Sequence, residues 1–339
     1  PRSTPKPSSA ASDVYKRQTL AGTDWRTEPC KKHAQLVQNL LDAGAIVLGK
    51  TVTTQFAGFD PSATHNPAAP GRTPGGSSSG SAAAVAAGMC IAAIGSQTGG
   101  SINRPASYCG VVGLKPAFGE VSTMGVVPLS RNLDHMGPIT NTVDDAVICY
   151  QALRNLPSER MLSVDIDVLR MDGFFRQGEV EVNEMIDLVA GRLDTVDCPV
   201  DFVELTTMHK RLMAGDAADV HALEFDEYRD GYRKHMASQI EWGRKQSDED
   251  YEAALDYQKI QRQAVSTWLR KDQVLVMPAT TSSPPGMETT GNPLFNSPWS
   301  FLGLPALSGP QSLSVEGFPL CLQFVGRTVQ AVVSAARRF

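Results

Sequence analysis

The sequence predicts an α/β fold, with a mixed, mostly parallel central sheet covered by helices on both faces. Two features of the chain carry that prediction. Short apolar runs at 45–48, 89–94, 274–277 and 320–325 alternate with stretches of helical period. Hydrophobic residues make up 42% and charged residues 20%, the balance of a chain that buries a core rather than staying unfolded.

The elements follow in order. Residues 1–18 have no period and almost no apolar content, and they resemble translated sequencing-adapter read-through. They are set aside as a non-native or disordered tail. Residues 19–339 are then expected to form one α/β domain that lacks N-terminal helices. From Lys31, Ala34, Val37, Leu40 and Leu41 share a helical face, and Gly44 follows as a C-cap. The run 45–48 reads as a buried strand ending at Gly49-Lys50, and 66–76, rich in Pro and Gly, as loop. A small-residue helix over 81–87, a buried strand over 89–94 and a Gly/Ser loop over 95–105 come next. Thr142 with Asp145 marks a capping box, placing Ala146, Val147, Tyr150 and Leu153 on one face. Alternation over 164–169 predicts a strand, 180–193 an amphipathic helix, and 202–205 a short strand. The stretch 209–271 is helical and charged with both signs, as surface helices are. Two strands, 274–277 and 320–325, close the pattern.

Composition removes several function classes. With 31 basic and 36 acidic residues the net charge is −5, so no electrostatic footprint for nucleic acid is present. Six cysteines without a C-x-x-C pair make neither a disulfide framework nor a zinc knuckle, and read as reduced core thiols of a cytoplasmic protein. No apolar stretch approaches the ~20 residues that cross a bilayer, so no membrane partner is expected. No heptads or interface stripe decide oligomeric state, and a homo-oligomer stays open.

The window 73–103 carries no charge at all. It opens with Gly75-Gly76-Ser77-Ser78-Ser79-Gly80-Ser81 and closes with Gln97-Thr98-Gly99-Gly100-Ser101. Gly-Gly before Ser lets successive backbone N–H groups converge on one point, because Gly reaches φ/ψ regions closed to other residues. An oxyanion hole needs such convergence, with donors about 3 Å from the developing charge. Ser101 is then the attacking hydroxyl. None of the six histidines, His33, His65, His135, His209, His221 and His235, lies in a setting that marks it as the base. Lys50 is the other candidate. As a base its pKa must fall from about 10.4 toward neutrality, ~4 kcal/mol of perturbation, and desolvation in an uncharged pocket is the usual source.

These residues resemble the amidase signature family. The resemblance runs through Gly49-Lys50-Thr51, the block from Gly75 to Ala86, Gly95 to Ile102 with Pro105-Ala106, Cys109 to Pro116, Leu133-Asp134 with Gly137-Pro138, Pro278-Ala279, and Leu320 to Gly326. It implies a Ser-Ser-Lys triad without metal or organic cofactor. Ser101 would be the nucleophile and Ser77 the bridging serine, held by an unusual cis peptide. Lys50 would be the base that takes a proton through Ser77. The amides of Thr98, Gly99, Gly100 and Ser101 would form the oxyanion hole. Two departures from the family pattern are Gln97, where many members have Asp, and Asn103, where many have Arg, with Arg104 following.

Two decoys are set aside. Gly44 to Thr51 matches the P-loop pattern, but its Ala-Ile-Val-Leu interior wants to be the strand itself. Gly76-Ser77-Ser78-Ser79-Gly80 matches a nucleophile elbow without the strand that must precede one. Ser78 and Ser79 read as turn residues, Lys115 as structural or surface, and Cys109 as a buried small hydrophobe. The expected function is hydrolysis of a small carboxamide or acyl-amide through an acyl-enzyme, on an apolar or neutral substrate. The glutaminase subunit of a tRNA-dependent amidotransferase is the alternative within the resemblance, and a P-loop nucleotide-binding protein the one outside it. Against the first, 291–299 resembles stand-alone amidases.

Overall fold

The structure, a computed structural model, describes residues 18–196 and 198–339. Seven strands form one sheet: β1 (Ala92–Gln97), β2 (Val112–Lys115), β3 (His135–Thr140), β4 (Asp167–Arg170), β5 (Gln273–Pro278), β6 (Ala306–Leu313) and β7 (Pro319–Gly326), in the order β1-β3-β2-β6-β7-β5-β4. The α/β class holds, but the sheet is mostly antiparallel. Only β4–β5 pair in parallel among the described strands; the other ladders are antiparallel. The strands missing from the sequence reading, β2, β3 and β6, supply most of that pairing. They carry Gly113, Gly137, Pro138, Gly309 and Pro310, so they present no apolar run to read. β6 and β7 are joined by a tight turn at Gly317, whose φ of 82° suits glycine, and such a hairpin makes neighbours antiparallel.

Helices cover both faces as expected. On one side lie α1 (Gln35–Asp42), α4 (Val143–Leu153), α5 (Val180–Ala190) and α11 (Val329–Ala336); on the other α6 (Phe202–Val220), α8 (Lys234–Arg244), α9 (Asp248–Trp268) and the short α10 (Ser297–Phe301). Along β5, Val274 and Val276 enter the first core while Leu275 and Met277 enter the second. That two-sided burial is why the strand reads as a continuous apolar run. The remaining helices are α2 (Ser79–Ala86), α3 (Asn103–Tyr108) and α7 (Ala222–Glu227).

Local signals held where capping chemistry is explicit. The Thr142 hydroxyl accepts the Asp145 amide at 3.1 Å and starts α4, and Gly44, at φ 87°, follows α1. Three strand expectations fail. Residues 45–48 belong to no ladder among the described strands, with Ile46 85% and Leu48 70% exposed. The 89–94 run begins late: Met89 and Ile91 are exposed and pairing starts at Ala92. Residues 202–205 open α6 instead, since the Asp201 carboxylate caps the amides of Val203 and Glu204 at 3.0 Å. The expected tail, 1–18, lies outside the described residues apart from Gln18. No helix among the described residues is long and apolar enough to cross a membrane.

Candidate active site

The two Gly-Gly-Ser segments lie against each other at the β1 edge of the sheet. Ser101 follows β1 and precedes α3; Ser77 precedes α2. The Gly76–Ser77 peptide is cis. Arg104, on the first turn of α3, reaches back and donates to the Gly76 carbonyl at 2.7 Å, tying the two segments together. Burial pulls this guanidinium down to about 10. Ser78 adds a second tie, bonded through its hydroxyl to the Ser96 amide at 3.2 Å, while Ser79 Oγ donates to the Gly75 carbonyl at 2.7 Å. Ser78 is the residue just before α2, whereas Ser79, expected in the turn, is the first residue of that helix.

Three successive carbonyls of the loop 97–103 are each held by a hydrogen bond. The Thr98 carbonyl is bonded by His209 Nε2 at 3.0 Å, the Gly99 carbonyl by Ser300 Oγ at 2.7 Å, and the Gly100 carbonyl by the Arg104 amide at 2.9 Å. The amides of Thr98, Gly99, Gly100 and Ser101 have no hydrogen bond to any described residue. Four consecutive buried N–H groups without acceptors are what a developing oxyanion would find. Gln97 explains its own departure from the family pattern. Its Oε1 accepts the Ile102 and Asn103 amides at 2.8 and 3.0 Å, and its Nε2 donates to Ser300 Oγ at 3.1 Å. An amide can do both; a carboxylate in that place could only accept. Asn103 is buried and donates to the Gly113 carbonyl at 2.9 Å, so it too is a brace.

Ser101 is 8% exposed and Ser77 fully buried. Ser77 Oγ has no hydrogen-bond partner among the described residues. The structure does not bring Lys50 to it. The chain 51–54 runs antiparallel beside 77–81: Thr54 N to Ser77 O at 3.2 Å, Gly80 N to Val52 O at 2.9 Å, and Thr51 Oγ1 against Ser81 Oγ at 2.8 Å. In that register Thr54 faces Ser77, and Lys50 lies four residues away, past Ser81. The Lys50 amine instead donates to the Gln18 carbonyl at 2.8 Å and to Thr19 Oγ1 at 2.5 Å. The strand meant to end at Lys50 and aim it at the site is the one that stays unpaired.

The sequence assigns no catalytic or bracing role to several residues that lie at the site. His209, on α6, and His135, on β3, both reach the oxyanion loop, His135 through Nδ1 to the Gln97 carbonyl at 3.2 Å. Burial lowers both imidazoles, His209 to about 4, so each is neutral at pH 7 and serves as a hydrogen-bonding wall. Asp134 accepts from Thr98 Oγ1 at 2.5 Å, and desolvation raises its carboxyl to about 6. Lys115, fully buried and donating to the Leu304 and Pro116 carbonyls, is structural, and burial holds its amine well below the ordinary lysine range. Cys109 is buried and its thiol pushed up, an unreactive small hydrophobe. No group of three His, Cys, Asp or Glu residues able to hold a metal occurs among the described residues.

The segment 289–294 forms a wall shared with a cavity. A Cβ on Gly76 would lie 2.8 Å from Thr290 Cγ2, and one on Gly99 would lie 3.8 Å from Pro293 Cβ. Between and beside them Thr289, Gly291, Asn292 and Leu294 line a cavity of about 660 Å³ that also takes in Glu179 and Ser282. The loop 124–126 packs under the start of α1: the Met124 carbonyl accepts the Gln35 amide at 3.0 Å.

A family model described as Amidase matches residues 13–174. A glutamyl-tRNA(Gln) amidotransferase subunit from Prochlorococcus marinus (strain MIT 9211) is 31% identical over 355 residues, covering 86% of this chain and 72% of the relative. Among solved structures, a crystal structure of an amidase superposes with a TM-score of 0.86 at 30% identity, covering 96% of this chain and 81% of the other. The corresponding glutamyl-tRNA(Gln) amidotransferase subunit from Thermotoga maritima superposes with a TM-score of 0.77 at 25% identity, covering 96% and 79%.

Proposed function

We propose a two-serine route to amide hydrolysis for this chain, which belongs to the amidase signature family and is an amide C–N hydrolase. The observation that carries the route is the row of four buried amides, 98–101, without acceptors among the described residues, while the carbonyls of Thr98, Gly99 and Gly100 are each bonded. Ser101 Oγ attacks the amide carbon and the oxygen gathers charge against those amides. Ser77 Oγ takes the Ser101 proton as its own hydroxyl hydrogen passes to the departing nitrogen and the C–N bond breaks. That leaves an acyl-enzyme on Ser101 and free ammonia or amine. Water then attacks the ester by the same path and releases the carboxylate. The base that the family resemblance implies, Lys50, donates here to the Gln18 carbonyl and Thr19 Oγ1, so the relay runs between the two serines alone.

The substrate reading is a small neutral carboxamide or acyl-amide placed in the cavity beside 289–294. Its lining has one acid, Glu179, and no base, which disfavours carboxylate-bearing amides. A second reading, the glutaminase subunit of a tRNA-dependent amidotransferase, is favoured by relatives named as amidotransferase subunits. Glutamine, with its own carboxylate, separates the two: ammonia released faster from glutamine than from simple carboxamides would select the second.

Fluorophosphonate labelling of the full chain, with the adduct mapped by peptide mass spectrometry, tests the route without knowledge of the substrate. The expected adduct is on Ser101, absent in Ser101→Ala and slowed at least about 100-fold in Ser77→Ala, within the usual span of general acid–base contributions. A cooperatively melting chain that takes no label on Ser101 would overturn it.

A further inference from the structure

An oxyanion loop is only as good as the groups that hold it, and here the hold converges on one residue, Thr98. Its hydroxyl donates to Asp134 Oδ1 at 2.5 Å. The other carboxylate oxygen, Oδ2, accepts the Leu129 and Ser130 amides at 2.8 and 3.1 Å. The segment that presents Asp134 is itself anchored to the helical layer. Asp216, on α6, accepts from the Ser130 hydroxyl, from the Asn132 amide at 3.2 Å and side chain at 2.9 Å, and from the Tyr251 hydroxyl of α9 at 2.6 Å. His209, two turns earlier on the same face of α6, bonds the Thr98 carbonyl directly. One helix therefore reaches Thr98 by two routes, through its carbonyl and, by way of 129–134, through its side chain.

We infer that Asp134 is a positioning residue for the oxyanion loop, acting through Thr98. With hydroxyl and carbonyl both held, Thr98 has one orientation left, and its amide and the three that follow are aimed together. Hydrogen bonds to an ionised acceptor are about twice as strong as neutral ones, and small misplacements of catalytic groups cost rate steeply. The inference rests on the oxyanion role proposed above for 98–101.

Two isosteric variants cut the tether from either end, Asp134→Asn and Thr98→Val. If Ser101 labels in the wild type, each variant should label about 100-fold slower, comparable to loss of one oxyanion donor. The double variant should be no slower than the worse single, because both remove the same interaction. A residue that merely supports the fold would lower the melting temperature without this non-additivity. Hydrogen exchange read on the peptide spanning 97–103 supplies an arm independent of chemistry. Asp134→Asn should speed exchange there at least tenfold while the β5–β7 peptides keep their protection. Additive losses in the double variant, or unchanged exchange at 97–103, would overturn the inference. If the wild type takes no label, the two-serine route falls, and the exchange arm alone decides whether Asp134 holds the loop.

Discussion

Replacing Lys50 by Met separates two accounts of the same residue. Family resemblance makes Lys50 the base; the structure places its amine on Gln18 and Thr19. In the antiparallel register Thr54 faces Ser77. Ser77 Oγ has no hydrogen-bond partner among the described residues, so no bond joins it to the Lys50 amine. If Lys50 were the base, its loss would cost about 10²–10⁴ in the reactivity of Ser101, which is ~3–5 kcal/mol of barrier. If it only ties the chain to 18–19, losing the bonds to Gln18 and Thr19 costs ~1–3 kcal/mol of stability at ~0.5–1.5 each. The expected result for Lys50→Met is a labelling rate within about threefold of wild type and a melting temperature lower by a few degrees. The assay is the second-order rate of fluorophosphonate adduct formation on Ser101, followed by intact mass, beside a thermal melt. A 100-fold slower rate with an unchanged melt would refute the register argument and return Lys50 to the triad.

Three further outcomes are expected. Gly100→Ala puts a Cβ 2.7 Å from Asn296 Oδ1, and Asn296 cannot retreat because its Nδ2 is bonded to the Ala279 carbonyl and Gln323 Oε1. Overpacking there should cost ~1–3 kcal/mol, visible as a melting temperature several degrees lower; an unchanged melt would mean that Asn296 moves freely. Stability should fall as pH drops from about 6.5 toward 4, because the unfolded chain protonates histidines that His135, His209 and His221 keep neutral when folded. Asp134, raised to about 6, and Glu179, raised by burial, pull the other way. His209→Gln should flatten that fall by up to ~3 kcal/mol, from a displacement of about 2.5 pH units, and melts across the range that superimpose on wild type would contradict the shift. Ile46→Lys and Leu48→Lys should leave the melt within ~0.5 kcal/mol of wild type, as exposed positions do; a loss of several kcal/mol in either would show that 45–48 is buried after all.

The sequence predicts well where the cause of a structure lies within a few residues of it. Thr142 with Asp145 specifies the start of α4, Gly44 the end of α1, and the two Gly-Gly-Ser runs the turns that carry Ser77 and Ser101. It misleads where an apolar run needs a partner. Residues 45–48 are a competent strand by composition, yet a strand forms only when another supplies its hydrogen bonds, and no described strand does. Strands β2, β3 and β6 fail in the opposite sense: Gly and Pro hide them, and their place in the sheet comes from neighbours distant in the chain.

By itself, then, the sequence determined the family, the α/β class and a charge-free pair of serine turns able to present amides to an oxyanion. The tertiary structure alone decided what surrounds those turns. It brought His209 from 111 residues away, Ser300 from 201 and Asp134 from 36 to hold one loop, and it gave the Lys50 amine Gln18 and Thr19 as partners. The reason is physical. Backbone turns are dictated by local φ/ψ limits, whereas the side chain that meets a given carbonyl is chosen by strand register and helix docking, which leave no mark on the residues nearby.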